Sequence, residues 1–372
     1  MIKVLNILSD TNVGGAGRLL VNYLRNFDRE KIESYVVLPR DSALAPYIRE
    51  VGYDVIEIEH GRDKSLDFRA IGEIRRVIRE VKPDIVHTHS SFSGKLAAFL
   101  CRVPVRFYTR HSAFEPPKYL TSFPGRQING FINNTLATDI VAVADAAAKN
   151  MTDTGVCPDK ITVIINGSEE VHRISDAEKA ELKASLGIAE STFVCGISAR
   201  LEAYKGHSYL FESASEVLRS HPDTVFLIIG EGSCHAELEA QARELGIHEK
   251  VRFIGFVSDV APYYNIMDLN LNCSWGTETS CLALSEGMSL SLPAVATTYG
   301  GNPYMITEGV NGILVPERDS HAMAEAILRL IEDPGLLSEM SLGARRMYEE
   351  KFTASAMTRQ LEDLYERSVN RK

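Results

Sequence analysis

The feature that most limits what this chain can become is a pattern that recurs in both of its halves. Short runs rich in Val and Ile alternate with longer stretches whose apolar residues return every three or four positions. Up to residue 166 the strand-like runs are 3–9, 34–39, 54–59, 84–89, 105–110, 139–144 and 161–166. Helical patterns fall between them at 16–27, 42–51, 67–82, 93–101, 124–137 and 145–154. Such alternation builds a parallel sheet covered by helices on both faces. Asn166-Gly167 is a turn pair, the stretch 168–179 is polar, and a domain junction falls there. The pattern then resumes, with runs at 193–199, 224–230, 251–255, 269–274, 294–298 and 312–316. Helices are expected at 206–219, 233–246, 259–266, 281–290, 303–308 and 320–332, and two more close the chain at 336–352 and 354–369. Ligands of such folds bind beyond the carboxyl ends of the strands, so two such domains place the natural site in the cleft they share.

Composition narrows the class. At 372 residues, with 45% hydrophobic and 24% charged residues, the chain has the make-up of a two-domain soluble protein. No stretch reaches the eighteen apolar residues or so that a membrane span needs. The opening MIKVLNILSD reads as a strand rather than a leader. Six cysteines are scattered without a CxxC pair, which fits reduced thiols in a cytosol and not a zinc site. Net charge is −10, but residues 1–166 carry +3 and residues 167–372 carry −13. Nucleic acid is not expected as a partner of such a chain. The mildly basic first half suits an anionic membrane surface or a phosphorylated acceptor, although drift of charge between domains gives the same numbers.

The stretch 273–307 concentrates the chemistry. Glu278 and Glu286 stand eight positions apart, and Thr279 and Ser280 are cap residues before the helix CLALSEGMSL. Eight helical residues advance about 12 Å and turn the two ends roughly 80° apart, so the carboxylates cannot share one ligand atom. They can grip two parts of an elongated ligand. The first turn's amides, near Cys281–Ala283, have no partner inside the helix and suit a phosphate. A nucleotide sugar fits this set, with sugar hydroxyls at Glu278, diphosphate on the amides and ribose at Glu286. From the spacing alone, two solvated glutamates on a surface helix are the commoner case. Gly300-Gly301 reads as a flexible turn.

Other motifs end strands. Gly14-Gly15 follows the first strand and opens the first helix, where glycine lets a phosphate approach the backbone or simply makes a tight turn. His87 and His89 in HTHSS read as packing residues at a sheet edge, and His111 stands where it can reach the cleft. Arg200 and Lys205 share one strand-to-helix loop and can clamp a diphosphate. Gly230 turns the chain after the next strand, and Val257 in GFVSDV offers backbone to a nucleotide base. No Asp-x-Asp occurs, so a bound divalent metal is not indicated; the two cations and the helix amides would stabilise developing charge.

Taken together these motifs resemble the retaining glycosyltransferases of family 4, which have the GT-B fold. The resemblance spans the chain: the Gly14-Gly15 loop, THSS, TRHS, SARLEAYKG, IIGEGS, RFIGFVSDV, Glu278 with Glu286, LPAVATTYGGNP and GVNGILVP. It implies two Rossmann-like domains, 1–168 on the acceptor side and 169–352 holding the nucleotide sugar, with helix 353–372 crossing back to the first. It implies that Glu278 binds donor-sugar hydroxyls and Glu286 the ribose. Arg200 and Lys205 would hold the diphosphate, Leu282 and Ala283 would give it amides, and Gly14 and Gly15 would approach it from the other domain. Gly230 and Val257 would line the donor, and His111 would lie beside the reacting sugar. The expected activity is metal-independent, retaining transfer of a hexose from a nucleoside diphosphate sugar, UDP before GDP. The acceptor would be a sugar or lipid-linked hydroxyl in surface polysaccharide or glycolipid assembly. The expected place is the cytoplasm, with peripheral contact at the inner face of the membrane through the first domain, for which the basic helix 69–82 is a candidate. A nucleotide-sugar epimerase of the same fold, or a silent nucleotide-sugar-binding protein, are the alternatives. Two departures stand out: Thr279-Ser280-Cys281 where Gly-Phe-Gly is common, and Tyr304 where the family usually has an acid. A cysteine at a helix start can have a lowered pKa, or can be merely a small buried residue.

Overall fold

The computed structural model describes residues 1–112, 115–276, 278–279 and 281–371. The chain divides into two compact units, Met1–Ser168 with Ala354–Lys372, and Glu169–Thr353.

The first unit is built on seven strands: β1 (Ile2–Leu8), β2 (Ile32–Pro39), β3 (Val55–Ile58), β4 (Ile85–His89), β5 (Val105–Arg110), β6 (Asp139–Ala142) and β7 (Ile161–Val163). They lie in the order β3-β2-β1-β4-β5-β6-β7 with every neighbouring pair parallel. The period of two along β1 divides its side chains between the faces of the sheet. Val4 and Leu8 enter one cluster, with Leu20 and Leu24 of helix Gly15–Asn26; Leu5 and Ile7 enter another, with Ile71, Ile74 and Ile78 of helix Phe68–Val81. The C-terminal helix Ala354–Asn370 completes the first of these clusters with Met357, Leu361, Leu364 and Tyr365, spaced to share one helical face.

The second unit holds β8 (Val194–Ser198), β9 (Val225–Ile229), β10 (Val251–Gly255), β11 (Leu269–Asn272), β12 (Ala294–Thr297) and β13 (Gly312–Val315). Their order is β10-β9-β8-β11-β12-β13, again parallel throughout. All thirteen strands fall on the runs read from the sequence. Helix Asp176–Ser185 was not expected in the polar stretch that precedes β8. Its start is fixed by a reciprocal cap, in which Ser175 accepts from the Glu178 amide while the Glu178 carboxylate accepts from the Ser175 amide and hydroxyl.

Each sheet reverses its strand order once, between β1 and β4 in the first unit and between β8 and β11 in the second. At such a point the connections leave in opposite directions and a crevice opens beyond the strand ends. His87 and His89 therefore lie on β4, the middle strand of seven, and not at the sheet edge expected from the sequence.

Candidate active site

In the second unit the crevice is framed by the loops that follow β8 and β11. Lys205 ends a single 3-10 turn, Ala203–Lys205, and its Nζ donates to Glu278 Oε2 at 2.8 Å. The same oxygen accepts from Asn272 Nδ2 at 3.1 Å and Ser274 Oγ at 2.9 Å. Glu278 is buried, with 7% of its surface exposed. Burial pushes its carboxyl up, but the Lys205 ammonium and these three hydrogen bonds outweigh burial and hold it below the usual range. Burial likewise pulls Lys205 down, and Glu278 more than offsets it, so the ammonium sits above its ordinary value. Both groups are charged at neutral pH.

Close backbone packing sets this pair. Gly206 has φ 76°, and a Cβ there would fall 2.0 Å from the Cys273 carbonyl oxygen, so only glycine lets the β8 loop lie against the end of β11. Gly300 and Gly301 play the matching part from the other side. A Cβ at Gly300 would meet the Glu278 carbonyl at 2.2 Å, and one at Gly301 would meet the Thr279 carbonyl at 1.3 Å. They form a packed support for the Glu278 backbone, which replaces the flexible turn expected from the sequence. The amide that steers Glu278 is itself oriented. Asn272 Oδ1 accepts from the Ser274 amide and from Asn302 Nδ2, and Asn302 is fully buried.

The remaining positions of this unit are distributed along the same strand ends. Arg200 is exposed, donates to Tyr204 Oη at 2.7 Å and lies over the Tyr204 ring. Leu282 and Ala283 are the first two residues of helix Leu282–Ser289, and Glu286 is half-buried within it. The helix begins one residue after the expected caps. Cys281 takes the cap position, its carbonyl receiving the Leu284 and Ser285 amides, with no side-chain cap; Ser280 lies outside the described residues. Burial, reinforced by Glu278, pushes the Cys281 thiol up to about 12, so it stays protonated and the lowered pKa considered for a helix-start cysteine does not occur. Gly230 has φ 136°, and a Cβ there would meet the Ala199 carbonyl oxygen, so the chain needs glycine at this turn. Val257, just past β10, is half-buried beside the exposed Phe256.

In the first unit Gly14 caps helix Gly15–Asn26 at the end of β1, and a Cβ on Gly15 would meet nothing within 4 Å. This leaves the backbone there open to close approach. Beside it, at the ends of β4 and β5, three imidazoles stack. The His87 and His89 ring centres are 4.3 Å apart and those of His89 and His111 are 5.2 Å apart, with planes tilted by about 25°. Strand periodicity places His87 and His89 on one face. His87 is bound at both nitrogens, Nδ1 to Tyr365 Oη at 2.5 Å and Nε2 to Thr109 Oγ1 at 2.6 Å. His89 Nδ1 and His111 Nε2 are 3.0 Å apart. Burial lowers His87 to about 3, His111 to about 4 and His89 well below its ordinary value, helped by their mutual repulsion and by Arg110.

In the second unit Glu278 meets Lys205 and Arg200 turns to Tyr204; in the first unit His111 meets His89. Asn272, Ser274, Asn302, Tyr204 and Tyr365 were not anticipated. Asn270 and Asn272 had a visible sign, since two asparagines alternating with leucine in a buried strand need internal partners. Among the described residues no group of three or more His, Cys, Asp or Glu side chains is placed to hold a metal ion. Nor is any helix long and apolar enough to cross a membrane.

Comparison with known proteins gives two family models that together span most of the chain. "Glycosyltransferase Family 4" matches residues 13–169 and "Glycosyl transferases group 1" matches residues 178–347. An Escherichia coli UDP-Gal:alpha-D-GlcNAc-diphosphoundecaprenol alpha-1,3-galactosyltransferase is 24% identical over 98% of this chain and 96% of that protein. The Staphylococcus aureus capsular polysaccharide biosynthesis glycosyltransferase CapM is 24% identical over 93% and 92%. Among solved structures, Anabaena Alr3699/HepE in complex with UDP superposes with a TM-score of 0.85 at 21% identity, covering 98% of this chain and 100% of that one. A glycosyltransferase from Rickettsia africae gives 0.86 at 19% identity, covering 100% and 99%. The fold is GT-B.

The histidine stack has a consequence for stability. Each ring is neutral when folded and takes up a proton near pH 6.5 when unfolded, so below that pH the unfolded state binds more protons and stability falls toward the folded values near 3 to 4. The loss is about 1.4 kcal/mol per histidine per pH unit at most. Thermal melts should therefore drop by several degrees from pH 7 to pH 5, and a His87→Gln variant should show a shallower drop.

Proposed function

Because the chain belongs to the family-4 glycosyltransferases, we propose that it moves a hexose from a nucleoside diphosphate sugar, UDP-linked before GDP-linked, to an acceptor hydroxyl with retention of configuration. The observation that carries this reading is the Lys205–Glu278 pair at the point where the second sheet reverses its order. A half-buried cation fixed beside a carboxylate, at the open end of a helix, offers one group to a leaving diphosphate and the other to sugar hydroxyls. In this reading Lys205 and Arg200 hold the diphosphate, and Arg200 must swing from Tyr204 to do so. Leu282 and Ala283 give it amides, Glu286 takes the ribose, Val257 meets the base, Gly14 and Gly15 approach the phosphates, and His111 lies beside the sugar. Gly230 lines the donor from the turn after β9, where only glycine fits against the Ala199 carbonyl.

The bond from C1 of the sugar to the diphosphate oxygen breaks as a bond to the acceptor oxygen forms on the same face. The acceptor proton passes to the departing phosphate oxygen, and the two cations take up the charge that develops there. No protein nucleophile is required, and Cys281, held as a thiol, does not serve as one. The charges on Lys205 and Arg200 do the work that a divalent ion would otherwise do, so no metal is needed.

The Escherichia coli relative is named for a UDP-sugar donor and a diphosphoundecaprenol-linked acceptor. A lipid-linked acceptor of that class would bring this chain to a membrane surface at the cytoplasmic side. The basic helix 69–82 is a poor candidate for that contact, because Ile71, Ile74, Val77 and Ile78 are spent on the core of the first unit. Segment 118–131 is better suited. Tyr119, Phe123, Ile128 and Phe131 are 67%, 82%, 57% and 73% exposed, and Lys118 and Arg126 stand among them, exposed as well. Aromatic side chains with interspersed cations are the composition of an interfacial surface on anionic lipid.

A panel of UDP- and GDP-hexoses should yield at least one that raises the melting temperature and is slowly hydrolysed without acceptor, with chelation by EDTA leaving the rate unchanged. Glu278→Gln should abolish that hydrolysis. A donor turned over at the wild-type rate by this variant, or the failure of every nucleotide sugar to bind, would overturn the reading; release of an altered sugar nucleotide would make the chain an epimerase.

The protein should also sediment with vesicles rich in anionic lipid and not with neutral ones, and Phe123→Asp with Phe131→Asp should release it. Equal sedimentation of this double variant would contradict the membrane assignment.

A further inference from the structure

Lys95 lies in helix Phe92–Leu100 with only 6% of its surface exposed. Its ammonium donates to Asn133 Oδ1 at 2.9 Å and sits 3.9 Å from the centre of the Tyr108 ring. Both groups are neutral, and no carboxylate pairs with Lys95 among the described residues. Burial, and after it the nearby Arg110 guanidinium, pull the ammonium down to about 8, which leaves it mostly protonated at neutral pH. One ring face and one amide oxygen attract a cation weakly compared with the water it has lost. A methionine would fill the same place without that loss.

The surroundings add a second cation and not an acid. Tyr108 and Arg110 stand two apart on β5 and so share one face of the sheet. Arg110 ends the strand and is half-buried. Its Nε donates to the Ser112 carbonyl, and it too has no carboxylate partner among the described residues. Asn133 is held in turn, because its Nδ2 donates to the carbonyl and side-chain oxygens of Asn129 one turn earlier, which leaves Oδ1 for Lys95. The helix that carries these two asparagines, Gly125–Leu136, also carries the exposed Ile128 and Phe131. One helix therefore borders the buried ammonium and bears part of the apolar surface of segment 118–131.

We propose that Lys95 and Arg110 form an anion subsite in the first unit that takes the diphosphate of a lipid-linked acceptor, whose hydrocarbon chain lies along segment 118–131. The proposal rests on the lipid-linked acceptor read above and adds where its phosphates are held. Phosphate oxygens supply the negative charge that both cations lack, through charge-assisted hydrogen bonds. An anionic headgroup confined to a bilayer does not reach an ammonium this deeply buried, whereas a diphosphate that leads a sugar away from the bilayer does. His111 follows Arg110 directly and leaves the end of β5 on the other side of the strand. A sugar joined to a diphosphate at Arg110 therefore lies next to the residue assigned to the reacting donor sugar.

The test is calorimetric titration of the full-length protein with farnesyl diphosphate, a short-chain probe without a sugar, and with farnesol as the uncharged control. Wild type should bind the diphosphate and not the alcohol. Lys95→Met and Arg110→Gln should each weaken that binding by about tenfold or more. Lys205→Met, which removes the cation of the second unit, should leave it within about twofold. Without ligand, Lys95→Met should melt no lower than wild type, since it removes a buried charge, and it should still sediment with anionic vesicles. Wild-type affinity in both Lys95→Met and Arg110→Gln, or binding that is lost in Lys205→Met, would overturn the proposal. So would a Lys95→Met protein that melts well below wild type, which would make Lys95 a structural cation, or one that no longer sediments, which would assign the subsite to lipid headgroups. Each measurement is made without turnover. Donor hydrolysis by a protein that binds no farnesyl diphosphate would refute this subsite alone, and farnesyl diphosphate binding by a protein that takes no nucleotide sugar would refute the glycosyl-transfer reading alone.

Discussion

A half-buried ammonium and a buried carboxylate, Lys205 and Glu278, meet at the one place in the second sheet where strand order reverses, and the surrounding backbone is arranged to permit that meeting. An ion pair in this position is not a gift to stability. Taking both charges out of water opposes their attraction, and removal of one partner leaves the other uncompensated at a loss of about 3–5 kcal/mol. The pair persists because Asn272 and Ser274 satisfy the same carboxylate oxygen, Asn302 fixes Asn272, and Gly206, Gly300 and Gly301 let three backbone segments close around it. A pair this heavily supported, at a strand-end crevice, is what the proposed transfer requires of groups kept charged for a ligand.

The first unit solves a related problem in the opposite way. Its strand-order reversal carries imidazoles that burial keeps neutral, stacked and hydrogen-bonded from β4 to β5 and anchored by Tyr365. Fixed charge belongs to the second unit and stacked, neutral imidazoles to the first. Both sets stand at carboxyl ends of parallel strands, where the fold leaves backbone and side chains open to a ligand.

Much of the fold could be read from the residues because burial on both faces of a parallel strand leaves a short run rich in Val, Ile and Leu, as in β8, β9 and β12. Helix Asp176–Ser185 escaped notice because its face is polar and its evidence is local, the Ser175–Glu178 cap. Helix Leu282–Ser289 was placed to within one residue, but its cap was misjudged, since Thr279 and Ser280 have the right chemistry while contacts over distance decide where the turn begins. Asn270 and Tyr264 both bind the Ala283 carbonyl. Individual site residues were legible as strand-end motifs, whereas their pairing was not. Lys205 and Glu278 are 73 positions apart, and nothing in either neighbourhood distinguishes Lys205, which reaches the carboxylate, from Arg200, which turns to Tyr204. The contact of His89 with His111 was hidden in the same way, because the two come from different strand ends.

The central claim is that Lys205 is held charged by Glu278 in order to receive a diphosphate, and calorimetric titration of UDP tests it most directly. Lys205→Met should weaken UDP binding by about tenfold or more, the loss of one close charge-assisted contact. Glu278→Gln should bind UDP at least as tightly as wild type, because it removes both a competitor for Lys205 and a like charge near the phosphates. Equal affinity of Lys205→Met and wild type for UDP, or loss of UDP binding in a folded Glu278→Gln protein, would contradict the account.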